Sequence, residues 1–314
     1  MIRPISVSRL TASYGGRFRD AAYVELAQEH LLHWMAAEGL VDGSQVVFKG
    51  GSALRKFVFG SRGRFSVDLD FTINDRYYGE HVLAALQDGL EHEGVRFSVV
   101  GDIDMPALKA SWIADVPSQP NLGRTPFSSR LDFSTRATMV PAEARARAQI
   151  FGMEARYLEF EPVLMPTMAL AENAAEKLAR FRRIIVSRDV YDLSLLAELV
   201  RDQLPLIREL LLYKVYFDVV VDHRGGSVPF QLGAEYRNHG LREVIDADDL
   251  ATLSAGQPDL GRMLEVVEQT FGGMAPPAGE LEQKLARCNP GDRYVLEQRM
   301  LARRDELRQS DRLG

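Results

Sequence analysis

The chain has 314 residues, of which 46% are hydrophobic and 26% charged, as in an ordinary globular protein long enough for two domains. Its formal net charge of −6 argues against a surface that binds polyanions non-specifically as a whole. The single cysteine, Cys288, excludes an internal disulfide bond, and because no apolar run reaches the length of a membrane span or signal peptide, we expect a cytoplasmic protein without membrane contact.

The first elements of the chain alternate between helices and strands. Apolar residues at helical spacing predict a helix over residues 18–39. The segment VVFKGGS at 46–52 predicts a strand that runs into two glycines, and a helix over 52–59 opens directly after them. After a basic turn at 60–65, the alternation of polar and apolar residues in VDLDFTI predicts a strand over 67–73.

The rest of the first half continues as a mixture of one helix and several short strands. We predict a helix over 79–92 and strands over 95–103, 108–116 and 129–135, with residues 117–126 as a hairpin connection between the last two.

The second half is helix-rich. Helical segments are predicted over 167–186, 188–200, 206–221 and 279–312. The chain therefore predicts an α+β fold, with a mixed sheet and flanking helices in residues 1–160 and a mostly helical domain in residues 161–314.

The segment Lys49-Gly50-Gly51-Ser52 has the pattern of a phosphate-binding turn. Glycines after a strand let the backbone approach a triphosphate, and a helix that starts there points its free N–H groups at the phosphates. The Ser52 hydroxyl offers one further donor. Other candidates for phosphate contacts are Arg55, Lys56 and Arg64.

Paired carboxylates follow on the next predicted strand. Residues i and i+2 of a strand face the same side, so Asp68 and Asp70 are expected to project together and to share a magnesium site. Asp132, an acidic residue between two apolar ones, is the candidate third ligand from a neighbouring strand. Ser66 lies two residues before Asp68, and we expect it beside the metal and the incoming phosphates.

Each of these features alone has an ordinary structural explanation. An isolated Asp-x-Asp is common by chance, Gly-Gly-Ser is usually a turn, and a single strand aspartate such as Asp132 is usually at the surface. Their order along the chain favours function: strand, Gly-Gly-Ser, helix, basic turn, then a strand with paired aspartates.

This order resembles the minimal nucleotidyltransferase fold of the DNA polymerase beta superfamily, and more closely the AbiEii/AbiGii toxin family with its MenT-like toxins. Members open with segments like KGGSALRKF and RFSVDLDF, here residues 49–57 and 64–71. They continue with segments like AEKLARFRR and RDVYDL, here residues 175–183 and 188–193. The gap between Ser52 and Asp68 is slightly longer than usual in the family.

The resemblance implies roles for residues of the second half, which would complete the active cleft. Lys177 would contact the triphosphate, and Asp189 or Asp192 would orient that lysine or the acceptor. From the residues alone, this helix face could equally be a solvated basic surface with internal ion pairs.

The resemblance also implies the reaction. A nucleoside monophosphate would pass from a nucleoside triphosphate (NTP) to an acceptor with the help of Mg²⁺ or Mn²⁺, and the acceptor would be the 3′ end of tRNA, so that translation stops. A separate cognate antitoxin protein would be the partner. The alternatives are transfer to a protein hydroxyl (AMPylation) or to a small molecule, a non-catalytic nucleotide-binding protein, and a glycosyltransferase of the Asp-x-Asp type. The short stretch before Asp68 argues against the last of these.

Overall fold

The computed structural model describes residues 2–13, 19–41, 45–119, 128–145, 160, 163–224, 258–274, 287 and 289–310. These residues divide into two compact units, which are described separately below. The first comprises the described residues up to 137, those from 142 to 167 and residue 258. The second comprises residues 138–141, 168–224 and the described residues from 259 onward.

The first unit is a mixed sheet with helices. Its helices are α1 (Pro4–Ser13), α2 (Arg19–Ala37), α3 (Gly50–Leu54) and α4 (Arg76–Gln87). Its strands are β1 (Val46–Lys49), β2 (Leu69–Ile73), β3 (Glu91–His92), β4 (Val95–Asp104), β5 (Lys109–Asp115), β6 (Ser129–Ser134), β7 (Glu143–Arg145) and β8 (Met165–Thr167). Helix α3 continues into a π-helical turn, Arg55–Phe59, and a 3₁₀ turn, Gly60–Arg62.

The eight strands lie in the order β3-β4-β5-β6-β2-β1-β8-β7. β2 runs parallel to β6 and β1 runs parallel to β8, while the other neighbouring strands are antiparallel. The three central strands β1, β2 and β6 each carry a buried phenylalanine, and Phe48, Phe71 and Phe133 stack in a row with centroid separations of 4.9 and 5.2 Å. Because strand residues alternate between faces, the residues beside these phenylalanines lie on the opposite face.

The second unit is helical. It contains α5 (Leu170–Phe181), α6 (Ser187–Leu199), α7 (Leu204–Tyr216), α8 (Leu260–Phe271) and α9 (Pro290–Ser310), with a 3₁₀ turn at Arg201–Gln203 and a π-helical turn at Phe217–Val221. Helix α5 packs against α7 and α6, and α6 packs against α8.

A buried ion pair joins α5 and α7. The Glu172 carboxylate accepts hydrogen bonds from the backbone N–H groups of Met139 and Val140 and from the Lys214 Nζ atom at 2.7 Å. Burial alone lowers the pKa of Lys214, but attraction by Glu172 and Glu176 outweighs it and raises this pKa above its ordinary value. The pair therefore fixes two helices of the second unit to one another.

The α+β class is confirmed, and several predicted boundaries change. The predicted strand over 67–73 begins only at Leu69, so that Asp68 precedes it. The predicted helix over 79–92 is α4 followed by strand β3, since the chain turns at Gly89, whose φ is 87°. Helix α3 begins at Gly50 rather than at residue 52.

Other predictions are left untested by the described residues. Most of the proposed hairpin at 117–126 and most of the stretch around the domain boundary at 160–161 lie outside them. The boundary therefore stays a prediction. None of the described helices combines the length and apolar character that crossing a bilayer requires.

Candidate active site

A row of charged residues crosses four strands on the face of the sheet opposite the phenylalanines, which we call the acidic face. In the register of the sheet, Lys49 on β1 pairs with Asp70 on β2, Asp70 pairs with Asp132 on β6, and Asp132 pairs with Lys109 on β5. Backbones of paired strands lie about 4.8 Å apart, so the two aspartates are direct neighbours. The sheet therefore brings together two carboxylates that the chain separates, with a lysine on either side.

Asp68 lies just before β2 and is held by an arginine. The Arg130 Nη2 and Nε atoms donate hydrogen bonds to its two carboxylate oxygens at 2.7 and 3.3 Å. This hydrogen bond, followed by the charge of Asp68, raises the pKa of Arg130. Asp132 has a cation of its own, because the Lys109 Nζ atom lies 2.6 Å from its carboxylate.

The backbone of residues 66–68 is not strand, and three side chains fix it in place. The Ser52 hydroxyl, which is buried, donates a hydrogen bond to the carbonyl of Asp68. The Gln28 amide donates to the carbonyls of the two preceding residues at 3.1 and 2.8 Å, and the Ser129 hydroxyl donates to the second of these. The Ser52 hydroxyl thus ties the start of α3 to Asp68, and its predicted contact with a phosphate stays a prediction.

The two glycines at the start of α3 make room for side chains of the acidic face. Gly50 has a left-handed φ of 76°, and a Cβ atom there would lie 2.6 Å from the Asp70 Oδ2 atom. A Cβ atom on Gly51 would collide with the guanidinium of Arg64 and lie 3.1 Å from the Ser66 hydroxyl. The left-handed φ favours glycine at position 50, and a side chain at either position would displace the Asp70 carboxylate or the Arg64 guanidinium.

Arg55, predicted to contact phosphate, is buried in the first unit instead. Its Nη1 atom donates to the carbonyls of Gly60 and Gly63, both at 2.6 Å, and its Nε atom lies 3.4 Å from the Glu25 carboxylate. Only 2% of Arg55 is exposed. This side chain therefore holds the turn after α3, and its contact with phosphate stays a prediction.

Lys56 is buried in the same way. Its Nζ atom lies 2.8 Å from the Glu29 carboxylate, and the side chain is 1% exposed. A lysine so enclosed stabilises the packing of α2 against the turn, and its contact with phosphate stays a weaker prediction.

The second unit contains the predicted lysine and both predicted aspartates in one cluster. The Lys177 Nζ atom on α5 lies 3.0 Å from the Asp189 carboxylate and 2.8 Å from the Asp192 carboxylate, both on α6. Arg180 also contacts Asp189, at 3.0 Å. Both aspartates contact the lysine in this structure, and which of them orients it or the acceptor stays a prediction. Lys177 itself is 8% exposed.

Sequence reasoning missed Lys109 and Arg130, the two cations beside the carboxylates. Arg130 stands two residues before Asp132 on the same strand, so the alternation of strand faces could have placed it on the acidic side. Lys109 could not have been found in this way, because its position depends on the pairing of β5 with β6.

The three aspartates suit a hard divalent metal ion, but two of them already form ion pairs with basic side chains. Within the described ranges, no group of three histidine, cysteine, aspartate or glutamate side chains converges as a ready-made metal site. Asp68, Asp70 and Asp132 nevertheless supply the oxygen ligands that Mg²⁺ prefers, from adjacent backbone positions. The ion pairs with Arg130 and Lys109 would have to open before all three carboxylates could bind one ion.

Comparison with known proteins finds a family model and a solved structure that match most of the chain. The family model described as nucleotidyl transferase AbiEii toxin, type IV toxin–antitoxin system, matches residues 38–274. The chain is similar to the solved structure of MenT4, a nucleotidyltransferase toxin of Mycobacterium tuberculosis H37Rv, with a TM-score of 0.77 and 29% identity over 94% of this chain and 98% of that chain.

A second solved structure is more distant. A candidate nucleotidyltransferase from H. pylori is 18% identical over 79% of this chain and 98% of that chain, with a TM-score of 0.34, and this similarity is too low to support a conclusion. No curated protein matches the sequence.

Proposed function

This chain belongs to the AbiEii family of nucleotidyl transferase toxins of type IV toxin–antitoxin systems, and we propose that it is a metal-dependent enzyme that transfers a nucleoside monophosphate from an NTP to the 3′ end of tRNA. The family predicted from the sequence is thereby confirmed, as is the nucleotidyltransferase activity. The metal, the tRNA acceptor and the cytoplasmic location are parts of the proposal. A cognate antitoxin is implied by the family.

One observation carries the proposal. Asp70 and Asp132 are direct neighbours on parallel strands, Asp68 precedes Asp70 by two residues, and Gly50 gives the Asp70 carboxylate room at the start of α3. Three carboxylates beside a glycine-led helix start supply the oxygen ligands that Mg²⁺ or Mn²⁺ takes. Their donor chemistry therefore fits a divalent ion once the ion pairs with Arg130 and Lys109 open.

When bound, such an ion would neutralise the charge of the triphosphate and polarise its phosphoryl group. Asp68 and Asp70 would hold it, with Asp132 as the third ligand. Arg64 lies close to Gly51, but it is 5% exposed and donates a hydrogen bond to the Phe65 carbonyl, so its contact with a phosphate stays a weaker prediction.

The proposed step is an in-line substitution. The oxygen of an acceptor hydroxyl attacks the α-phosphorus of the NTP, the bond to the β-phosphate bridging oxygen breaks, and pyrophosphate leaves with the electron pair. In this proposal the proton of the hydroxyl passes to the carboxylate of Asp132, which acts as the general base. Lys177 stays a predicted contact of the triphosphate.

Transfer assays with four labelled NTPs test this proposal. The protein is incubated with each NTP, Mg²⁺ and either tRNA or total cell lysate, and Asp68→Ala serves as the inactive variant. Label on tRNA that is absent with Asp68→Ala supports the proposal. Label on protein or on a small molecule would mean that this molecule, and not tRNA, is the acceptor. Nucleotide binding without any transfer would contradict an enzymatic role.

A further inference from the structure

Two basic side chains form ion pairs with carboxylates of the candidate metal site. Arg130 on β6 spans both oxygens of Asp68, and Lys109 on β5 contacts Asp132. Both cations belong to strands on one side of the site. The acidic face is thus partly neutralised by the protein's own side chains.

Arg130 is held loosely in spite of its good geometry. Its side chain is 68% exposed, whereas that of Asp68 is 22% exposed. An exposed ion pair between long side chains contributes little to stability, because water screens the charges and both side chains lose freedom when they pair. Arg130 can therefore leave Asp68 at small cost when a stronger competitor for the carboxylate arrives.

We propose that Arg130 is an exchangeable counter-cation: it holds Asp68 in the ion-free protein, yields it to the divalent ion, and moves to a phosphate group of the triphosphate. This inference rests on the proposed function, since it presupposes a metal held by Asp68. It makes Arg130 a positioning residue for Asp68 and a contact of the substrate phosphates.

The chemistry of arginine supports both halves of this exchange. The guanidinium is always charged, and its planar fork matches a carboxylate and a phosphate equally well. Once a divalent cation lies between the aspartates, Arg130 is repelled by it and attracted to the nearest polyanion. The protein would thereby avoid three unpaired carboxylates on one face before substrate binds.

Binding of Mn²⁺ alone tests the first half. Titration calorimetry or electron paramagnetic resonance is done on the full chain and on Arg130→Ala, after circular dichroism has shown that both are folded. Because a competing cation is removed, Arg130→Ala should bind Mn²⁺ about three- to tenfold more tightly. The matched control is Arg96→Ala, which removes another exposed arginine of the same sheet, paired with Glu91. Its Mn²⁺ affinity should stay within about twofold of wild type.

Binding of inorganic tripolyphosphate with Mn²⁺ at saturation tests the second half. Arg130→Ala should bind the tripolyphosphate about five- to tenfold more weakly, because a bidentate phosphate contact is lost. Arg130→Lys separates contact from long-range charge. It keeps the charge, so its Mn²⁺ affinity should be near wild type, but it lacks the fork and should bind tripolyphosphate about threefold more weakly.

The outcomes separate this inference from the proposed function. If Asp70→Asn abolishes Mn²⁺ binding while Arg130→Ala leaves it unchanged or weaker, the metal site stands and the exchange is wrong. If Arg130→Lys matches wild type for both ligands while Arg130→Ala differs, the effect is one of charge alone and the phosphate contact is wrong. If wild type binds no Mn²⁺, both the metal site and the exchange are overturned.

Discussion

The hydroxyl of Ser52 donates a hydrogen bond to the backbone carbonyl of Asp68, 16 residues further along the chain. Ser52 belongs to the glycine-led start of α3, and Asp68 belongs to the acidic segment before β2. This bond makes two separate motifs into one structural unit, because the position of Asp68 depends on a side chain of the helix.

Ser52→Ala should therefore weaken both stability and transfer. The carbonyl of Asp68, a half-buried residue, loses a donor, which costs about 0.5–1.5 kcal/mol of unfolding free energy. Transfer should fall by about tenfold or more, since a carboxylate displaced by one ångström is poorly placed for catalysis. Urea unfolding and initial rates at saturating NTP measure the two effects. Ser98→Ala on β4 is the control, and an unchanged transfer rate in Ser52→Ala would contradict the argument.

Asp70→Asn and Asp132→Asn should separate activity from stability. Each substitution removes a proposed ligand of the metal, so transfer should fall by about a thousandfold or more. The unfolding free energy in EDTA should change by less than about 1 kcal/mol, because repulsion between the carboxylates and attraction to the flanking lysines oppose each other. Asp102→Asn, at an exposed position of β4, is the control, and it should retain full transfer.

Gly50→Ala tests the close approach of Asp70 to the helix start. Gly101 provides a matched control, because its φ of 74° is nearly that of Gly50 at 76° but nothing lies within 4 Å of its Cβ position. Gly101→Ala should lose only the cost of a left-handed alanine, about 1 kcal/mol. Gly50→Ala should lose about 1–3 kcal/mol more and should weaken Mn²⁺ binding, because the Asp70 carboxylate must move. Equal losses in both variants would show that the contact is unimportant.

Lys177→Met should lower the free energy of unfolding, because it leaves two buried aspartates without this lysine. Asp189 and Asp192 would lose their shared cation, and removal of one partner from a buried ion pair typically costs about 3–5 kcal/mol. The triple variant Lys177→Met, Asp189→Asn, Asp192→Asn should regain part of this stability in urea unfolding. If Lys177 also contacts the triphosphate, the triple variant should remain inactive in transfer. Recovery of transfer together with stability would assign Lys177 a structural role only.

The buried imidazole of His30 should make the protein less stable in acid. Burial, with a smaller contribution from the charge of His92, lowers the pKa of His30 from 6.5 to about 3. The unfolded chain therefore binds a proton in a pH range where the folded protein does not. Above pH 6.5 the imidazole is neutral in both states, and His30 does not reduce the free energy of unfolding. As the pH falls from about 6.5 towards 3, the free energy of unfolding falls by up to about 1.4 kcal/mol per pH unit.

His30→Leu should flatten this dependence. Urea midpoints at pH 7.5, 6 and 5 should fall more steeply for wild type than for His30→Leu. His223→Asn, at an exposed position, should follow the wild-type profile. Parallel profiles for wild type and His30→Leu would mean that His30 does not dominate the acid response.

The sequence alone determined the family and the α+β class, because these depend on local patterns. The alternation of polar and apolar residues placed β2 and β6, and the motif order from Lys49 to Asp70 indicated a nucleotidyltransferase. It also indicated that Asp132 lies on a strand next to that of Asp70, as the register shows. The roles of these aspartates remain predictions.

Only the tertiary structure decided which side chains surround the carboxylates. Arg130 and Lys109 reach the acidic face because β6 pairs with β2 on one side and β5 on the other, and Arg55 turns inward because Glu25 of α2 lies beside it. Such contacts join residues far apart in the chain. They follow from how the strands order themselves around a shared core, which no local pattern of residues specifies.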